Sequence, residues 1–270
     1  MRRNYHTIDH HGKVGERKLT EFLVRNGQAL LPMMELIEHS RMAIDELIDV
    51  MGRAEGRKHV LALREGATEN AEAAKDLLQH LVEHGVDPAH RRLFIIDGSK
   101  ALRAAINAVF GADTPVQRCR NHKLRNVLGR LPREQQAQTA SLMRAAWKMN
   151  QKDGMAKFHQ ITGWLEHDYP DSAAALLEGL EECFTINRLD IPGSLHRCLA
   201  TSNIVANPHS GVRDRTRRVC RWRPGMPARW SAAAFLEIEK SFRKIMGFRD
   251  LWALKAILDG SQPATRQAVA

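Results

Sequence analysis

A short apolar run that ends at an acidic residue limits the fold more than any other feature of this sequence. Residues 92–100 read Arg-Leu-Phe-Ile-Ile-Asp-Gly-Ser-Lys, so four apolar side chains directly precede Asp97. A continuous apolar run between turn residues is typical of a strand that is buried on both faces. Because α/β sheets place catalytic groups at the carboxyl ends of such strands, Asp97 is a candidate catalytic acid. The pattern alone leaves a second interpretation open, in which Asp97 only caps the helix beginning near Ser99.

The neighbouring patterns predict an α/β fold that is mostly helical. Three segments have the character of strands, namely 57–63, 92–96 and 115–118. Helical periodicity covers residues 17–52, about Ser99 to Phe110, and the chain from Asn121 onward. The order strand, helix, strand predicts a layered sheet with at least some parallel pairing. Candidate helix breaks lie near Gly154, Pro170, Pro192, Pro208 and Pro224.

The charge of the chain indicates a polyanionic partner. Lysine and arginine exceed the acids by enough to leave a formal net charge of +10. The excess is concentrated in two segments, with six basic residues and no acid over 117–133 and seven arginines and one acid over 212–229. Gathered cations are what a nucleic-acid backbone requires, although two solvated helix faces would have the same composition.

Several other classes of protein do not fit this sequence. The four cysteines are scattered, and no apolar stretch approaches the roughly 18 residues of a membrane span. The first residues have no apolar core typical of a secretory signal, so we expect a cytoplasmic protein without a membrane partner. Neither G-x-x-x-x-G-K-[ST] nor G-x-G-x-x-G occurs, which argues against a nucleotide cofactor. Cys119 and His122 have the spacing of half a zinc site, but no second half follows, and we do not predict zinc.

Five short motifs occur in order along the chain. They are Gly66-Ala-Thr-Glu-Asn70, Ile96-Asp97-Gly98 with Ala101-Leu102, Gln117-Arg-Cys119-Arg-Asn-His122-Lys-x-Arg125-Asn126-Val127, Thr201-Ser-Asn203, and Gly211-Val212-Arg213. In this order they resemble the Mutator-type transposases of bacterial insertion sequences. The resemblance begins at about Glu55 and covers roughly four-fifths of the chain. Residues 20–54 separately resemble the N-terminal helical lead of the same family.

The resemblance implies an RNase H-like domain interrupted by a helical insertion. In this family an Asp-Asp-Glu triad binds two Mg²⁺ or Mn²⁺ ions for DNA strand cleavage and transfer. Carried onto this sequence, Asp97 is the second acid and the metal ligand, and Cys119, His122 and Asn203 belong to the family signature. The implied organisation is a helical lead (1–54), an RNase H-like α/β part (55–130), a helical insertion (131–200), C-terminal helices that complete the catalytic domain (201–258) and a flexible tail (259–270).

Two departures from the family pattern predict impaired catalysis. The helical lead joins the α/β part near Ala54, which leaves no place for the strand that bears the first acid, so we expect an incomplete RNase H-like sheet. Ala206 stands where the family has its glutamate. Since one carboxylate cannot hold two divalent ions, we expect weak or absent Mg²⁺ or Mn²⁺ binding and a defective remnant of a transposase. The alternative is a non-catalytic DNA-binding or oligomerising inhibitor of an intact transposase.

Eight basic residues are predicted to contact DNA at the ends of an insertion element. They are Arg118, Arg120, Lys123, Arg125, Arg213, Arg217, Arg218 and Arg221. Within the second group, Arg213, Arg217 and Arg221 recur at every fourth position and would share one face of a continuous helix. Phosphate contacts of this kind position a protein on DNA but do not read its sequence.

Overall fold

The computed structural model describes residues 56–63, 71–218 and 226–260. The predicted helical lead and nearly all of the predicted tail therefore lie outside the described residues. Within them, strands β1 (Phe94–Ile96) and β2 (Val116–Arg118) are surrounded by helices. The helices are, in chain order, α1 (Ala71–Glu83), α2 (Lys100–Phe110), α3 (Arg120–Leu128), α4 (Arg133–Ala146), α5 (Gln151–Leu165), α6 (Pro170–Leu177), α7 (Thr185–Arg188), α8 (Gly193–Leu199), α9 (Asn203–Thr216), α10 (Met226–Glu239) and α11 (Leu251–Leu258).

The two strands pair in parallel, as the order of elements predicts. Phe94 lies opposite Val116, and Ile96 lies opposite Arg118. Helix α2 forms the crossover between them, which is the usual connection of parallel neighbours. Both strands therefore end at the same edge of the sheet.

Strand β1 is buried on both faces, which confirms the interpretation of its apolar run. Phe94 and Ile96 pack in a core cluster with α1 and α2. Leu93 and Ile95 point the other way and pack with α8 and α11. Because successive strand residues face opposite sides, helices on both sides are needed to cover the run. Burial of each such side chain contributes about 1.5–3 kcal/mol.

The strand predicted at residues 57–63 is wrong. Residues 56–63 form no strand, although Leu63 is buried against Leu77 of α1 and Phe235 of α10. A strand requires a neighbouring backbone for its ladder of hydrogen bonds, whereas partial alternation requires only a buried side. The alternation of apolar and polar residues in this segment therefore reflects the burial of one side and does not indicate pairing with another strand.

Helices α3, α4, α5 and α6 share a core of their own. Of these, α4, α5 and α6 lie in the segment that the sequence predicts to be a helical insertion. Two predicted breaks are confirmed, because Pro170 begins α6 and Pro192 immediately precedes α8. The break expected near Gly154 lies slightly earlier, at residues 147–150 between α4 and α5. The break expected at Pro208 is wrong, since Pro208 lies inside α9, and Pro224 lies outside the described residues. A Cβ at Gly154 would collide with the ring of Phe184, so this glycine permits close packing and does not end a helix.

The last described helices complete two of the cores. Helices α9 and α10 pack on each other and on α1, with Val212 and Ile238 among the buried residues. Helix α11 packs through Leu251 and Leu254 on the face of β1 that carries Leu93 and Ile95. No helix in the described part of the chain is both long and apolar enough to cross a bilayer.

Candidate functional site

Asp97 lies at the carboxyl end of β1, where the sequence places it. Its Oδ1 atom accepts a hydrogen bond from the backbone N–H of Ser99 at 3.3 Å. Ser99 is the N-cap of α2, because its hydroxyl accepts from the N–H of Leu102 at 3.2 Å. The sequence leaves open whether Asp97 only caps this helix. The structure shows that the N-cap is Ser99 and not Asp97. The carboxylate of Asp97 remains at the strand edge and is half-buried.

The end of β2 brings the family signature to the same edge. The N–H of Cys119 donates to the carbonyl of Ile96 at 2.7 Å, which sets Cys119 beside the residue that precedes Asp97. The thiol of Cys119 is fully buried, and Nδ1 of His122 lies 3.1 Å from its Sγ atom. The spacing of this pair is explained by the first turn of α3, which begins directly after Cys119.

The start of α9 docks on this pair through Ser202. Its N–H donates to Sγ of Cys119 at 3.2 Å, and its hydroxyl lies 3.4 Å from Nδ1 of His122. Ser202 is buried, so the thiol and the imidazole are contacted from a part of the chain eighty residues away. Sequence reasoning missed Ser202, and the available signal was its place inside the Thr201-Ser-Asn203 motif.

Two further hydrogen bonds hold the same junction. The N–H of Arg120 donates to the carbonyl of Ala200 at 2.9 Å. The side-chain amide of Asn121 donates to Oδ1 of Asn203 at 3.2 Å. The structure therefore brings together the signature residues predicted from the motifs. Position 206 follows Asn203 by one turn along the backbone of α9.

Arg118 is predicted to contact DNA, but its side chain is buried. The guanidinium donates to the carbonyl of Gly98 at 3.2 Å and to the carbonyl of Glu178 at 2.9 Å. Nη2 also lies 3.4 Å from the carboxylate of Glu178. Arg118 thus links the backbone after Asp97 to the chain after α6, and this placement argues against a phosphate contact.

Arg120 and Lys123 are buried as well. Arg120 donates to the carbonyl of Cys183 at 3.0 Å and to the side chain of Asn187, and burial lowers its pKa to about 10. Lys123 donates to the carbonyl of Ala175 at 2.7 Å, and burial lowers the pKa of its ammonium group. These donors are directed at main-chain and amide oxygens of the insertion, because a buried cation requires such partners. The prediction that Arg120 and Lys123 contact DNA is therefore corrected, because both side chains are buried and bound to the protein's own oxygen atoms.

The remaining predicted basic residues have a different setting. Arg125, Arg213, Arg217 and Arg218 are exposed, and Arg221 lies outside the described residues. Helix α9 ends at Thr216, with Arg217 as its C-cap. The sequence predicts one helical face through Arg213, Arg217 and Arg221. Because α9 ends before Arg217, that helical face does not continue past Arg213.

Comparison with known proteins agrees with the motifs at this edge. A family model described as "Transposase, Mutator family" matches residues 42–236, which is more than half of the chain. The chain is 27% identical over 166 residues to the transposase for insertion sequence element IST2 of Acidithiobacillus ferrooxidans, an alignment covering 61% of this chain and 55% of that protein. It is 28% identical over 188 residues to the transposase for IS6120 of Mycolicibacterium smegmatis, covering 66% and 56%.

A third similar protein is also a transposase of an insertion sequence. The transposase for ISRM5 of Rhizobium meliloti (strain 1021) is 28% identical over 165 residues, covering 60% of this chain and 40% of that protein. The chain thus spans about half the length of the curated relatives that it matches. The family match contains Asp97, Cys119, His122 and Asn203, and it confirms the resemblance that the motifs indicate. The chain belongs to the Mutator family of transposases.

Proposed function

We propose that this chain is a DNA-binding product of an insertion element in which the chemistry of strand cleavage and transfer is impaired. One observation carries the proposal. The start of α9 is held against the carboxyl edge of the sheet, where Asp97 lies, and α9 carries Ala206 where the family has its glutamate. The scaffold of the site is therefore assembled while one of its acids is replaced by a methyl group.

The fold that we propose for the site is an RNase H-like domain with a helical insertion. The parallel pair β1 and β2, covered by helices on both faces, supports this assignment. The chain between β2 and α9 is helical and has a separate core, as an insertion would. It returns at Ala200 to the edge from which it departed at Arg120.

Among the residues that the structure describes, those at this edge do not fit the pair of Mg²⁺ or Mn²⁺ ions that the family uses. Such ions prefer oxygen ligands, and a two-metal site needs several carboxylates to hold ions about 3.5–4 Å apart. Asp97 brings one carboxylate. Its neighbours along the strand ends are the thiol of Cys119 and the guanidinium of Arg118, which is a cation. We therefore propose weak or absent metal binding here and route no chemical step through a metal ion.

DNA binding rests on the charge of the chain and on where its cations are exposed. The net charge is +10, and Arg213, Arg217 and Arg218 are exposed together around the end of α9. Exposed arginines bind phosphate oxygens through charge-assisted hydrogen bonds. The family membership supports the ends of an insertion element as the DNA that is bound. A chain that binds these ends without cutting them would compete with an intact transposase.

A cleavage assay with a binding control tests this proposal. The full chain and its Asp97→Ala variant are incubated with DNA carrying the terminal inverted repeats of the element, in Mg²⁺ and separately in Mn²⁺. We expect both proteins to bind the DNA with affinity that falls as salt rises, and both to nick it only at background rates. Nicking by the unaltered chain that disappears in Asp97→Ala would overturn the claim of impaired chemistry. Absence of DNA binding by both proteins would overturn the claim of a DNA partner.

A further inference from the structure

Three side chains at the C-terminal end of α1 form a cluster that the proposed function does not use. His80, Glu83 and His84 each offer a ligand atom, and these atoms lie within 4.8 Å of one another. Glu83 and His84 are exposed, and His80 is half-buried. Within the described residues, this is the one place where three His, Cys, Asp or Glu side chains come together in this way. The helix explains the geometry, because positions separated by three and four residues share one face.

The orientation of His84 suits metal binding. Its Nδ1 atom lies 2.8 Å from the carbonyl oxygen of His80, so Nδ1–H donates to that oxygen. The proton of the neutral ring is then on Nδ1, which leaves the lone pair on Nε2. Metal-binding histidines are commonly held by such a hydrogen bond from the second ring nitrogen, which fixes the tautomer and the direction of the ligand atom. This bond is an observation independent of the spacing of the cluster.

The two imidazole rings of His80 and His84 lie in contact with each other. Their centroids are 3.8 Å apart, with an angle of 42° between the planes. Bonds of about 2.0–2.2 Å to a single ion require the three ligand atoms to approach one another by roughly 1 Å. Rotation of the exposed side chain of Glu83, with a smaller adjustment of His80, supplies this movement while His84 keeps its hydrogen bond to the carbonyl of His80.

We propose that His80, Glu83 and His84 bind one Zn²⁺ ion, or a divalent ion of similar preference, with water as the fourth ligand. Two imidazoles and one carboxylate form a donor set that zinc accepts, whereas Mg²⁺ prefers oxygen ligands. The site is separate from the edge at Asp97. Binding would join the last turn of α1 to the residue that follows it, and so strengthen the end of the helix that packs on α2.

Zinc titration of the full chain tests this site. Isothermal titration calorimetry with Zn²⁺ at neutral pH, in excess Mg²⁺, compares the unaltered chain with the double variant His80→Gln/His84→Gln. The matched control is His159→Gln/His167→Gln, which removes two exposed histidines elsewhere and so corrects for zinc bound by other side chains. We expect the test variant to lose one zinc equivalent, or to bind that equivalent at least about tenfold more weakly, while the control retains it.

Two results would overturn the proposal. One is an unchanged isotherm in His80→Gln/His84→Gln, and the other is an equal loss in both double variants. Circular dichroism verifies that each variant is folded. Should the test variant not fold, the single variant Glu83→Gln replaces it, because Glu83 is exposed and its removal takes away one ligand. Glu83→Gln is expected to weaken the same binding event severalfold, and unchanged binding would contradict the proposal.

Discussion

At the scale of single residues, Arg118 depends on two glycines. Its guanidinium lies against Gly98 and Gly179, and a Cβ atom at either position would collide with it. Both glycines have positive φ, at 118° and 57°, in which side chains are strained. The two missing side chains leave room for a buried cation that joins the backbone after Asp97 to the chain after α6.

We predict that Gly98→Ala destabilises the protein more than Gly111→Ala does. Gly111 also has positive φ, at 93°, but nothing lies within 4 Å of a Cβ built there. Gly111→Ala should therefore cost only backbone strain, about 1–3 kcal/mol, because its ψ of 155° places it in a region that is open almost only to glycine. Gly98→Ala should add about 1–3 kcal/mol because the buried guanidinium of Arg118 must move. Urea unfolding of the two variants measures the difference, and equal destabilisation would mean that Arg118 moves aside without cost.

At the scale of elements, the exposed arginines at the end of α9 make a prediction about DNA affinity. Replacing Arg213, Arg217 and Arg218 by alanine should flatten the slope of log affinity against log salt by up to about 0.9 for each phosphate that is no longer bound. The matched control replaces three exposed basic residues of the insertion, Arg144, Lys148 and Lys152, with the same change in net charge. A filter-binding series over several salt concentrations measures both slopes. Equal slopes in the two variants would assign the α9 arginines to ordinary solvated surface.

The elements also show how far local sequence determines this structure. Strand β1 and the start of α2 are predictable, because a doubly buried strand and an N-cap serine leave local patterns. The burial of Arg120 and Lys123 cannot be predicted from local sequence, since their partners are carbonyl groups roughly fifty to sixty residues away along the chain. A basic segment has the same composition whether it faces solvent or the interior. The site was therefore predictable in its signature residues and not in its supporting cations.

At the scale of the whole molecule, the candidate site is assembled from distant segments. Asp97, the Cys119–His122 pair and Ser202 meet only because the helical segment after β2 returns the chain to the sheet edge at Ala200. A two-metal catalytic centre assembled from distant segments requires a carboxylate from each of them. The chain spans about half the length of its relatives, and our proposal is that the segment before residue 56 supplies no first acid. Restoring one position therefore tests whether the rest of the centre exists.

We predict that Ala206→Glu raises the affinity for Mn²⁺ modestly and leaves transposition at background. The change supplies a second carboxylate on α9, but two ions must clamp the attacking and leaving oxygens, and on our proposal the first acid is not supplied by this chain. Calorimetric titration with Mn²⁺ measures the affinity, and the gain should vanish in the double variant Asp97→Ala/Ala206→Glu. Excision is measured in cells that lack an intact relative. Excision by Ala206→Glu that depends on Asp97 would contradict the prediction and would show that Asp45, Asp49 or Glu55 supplies the missing acid.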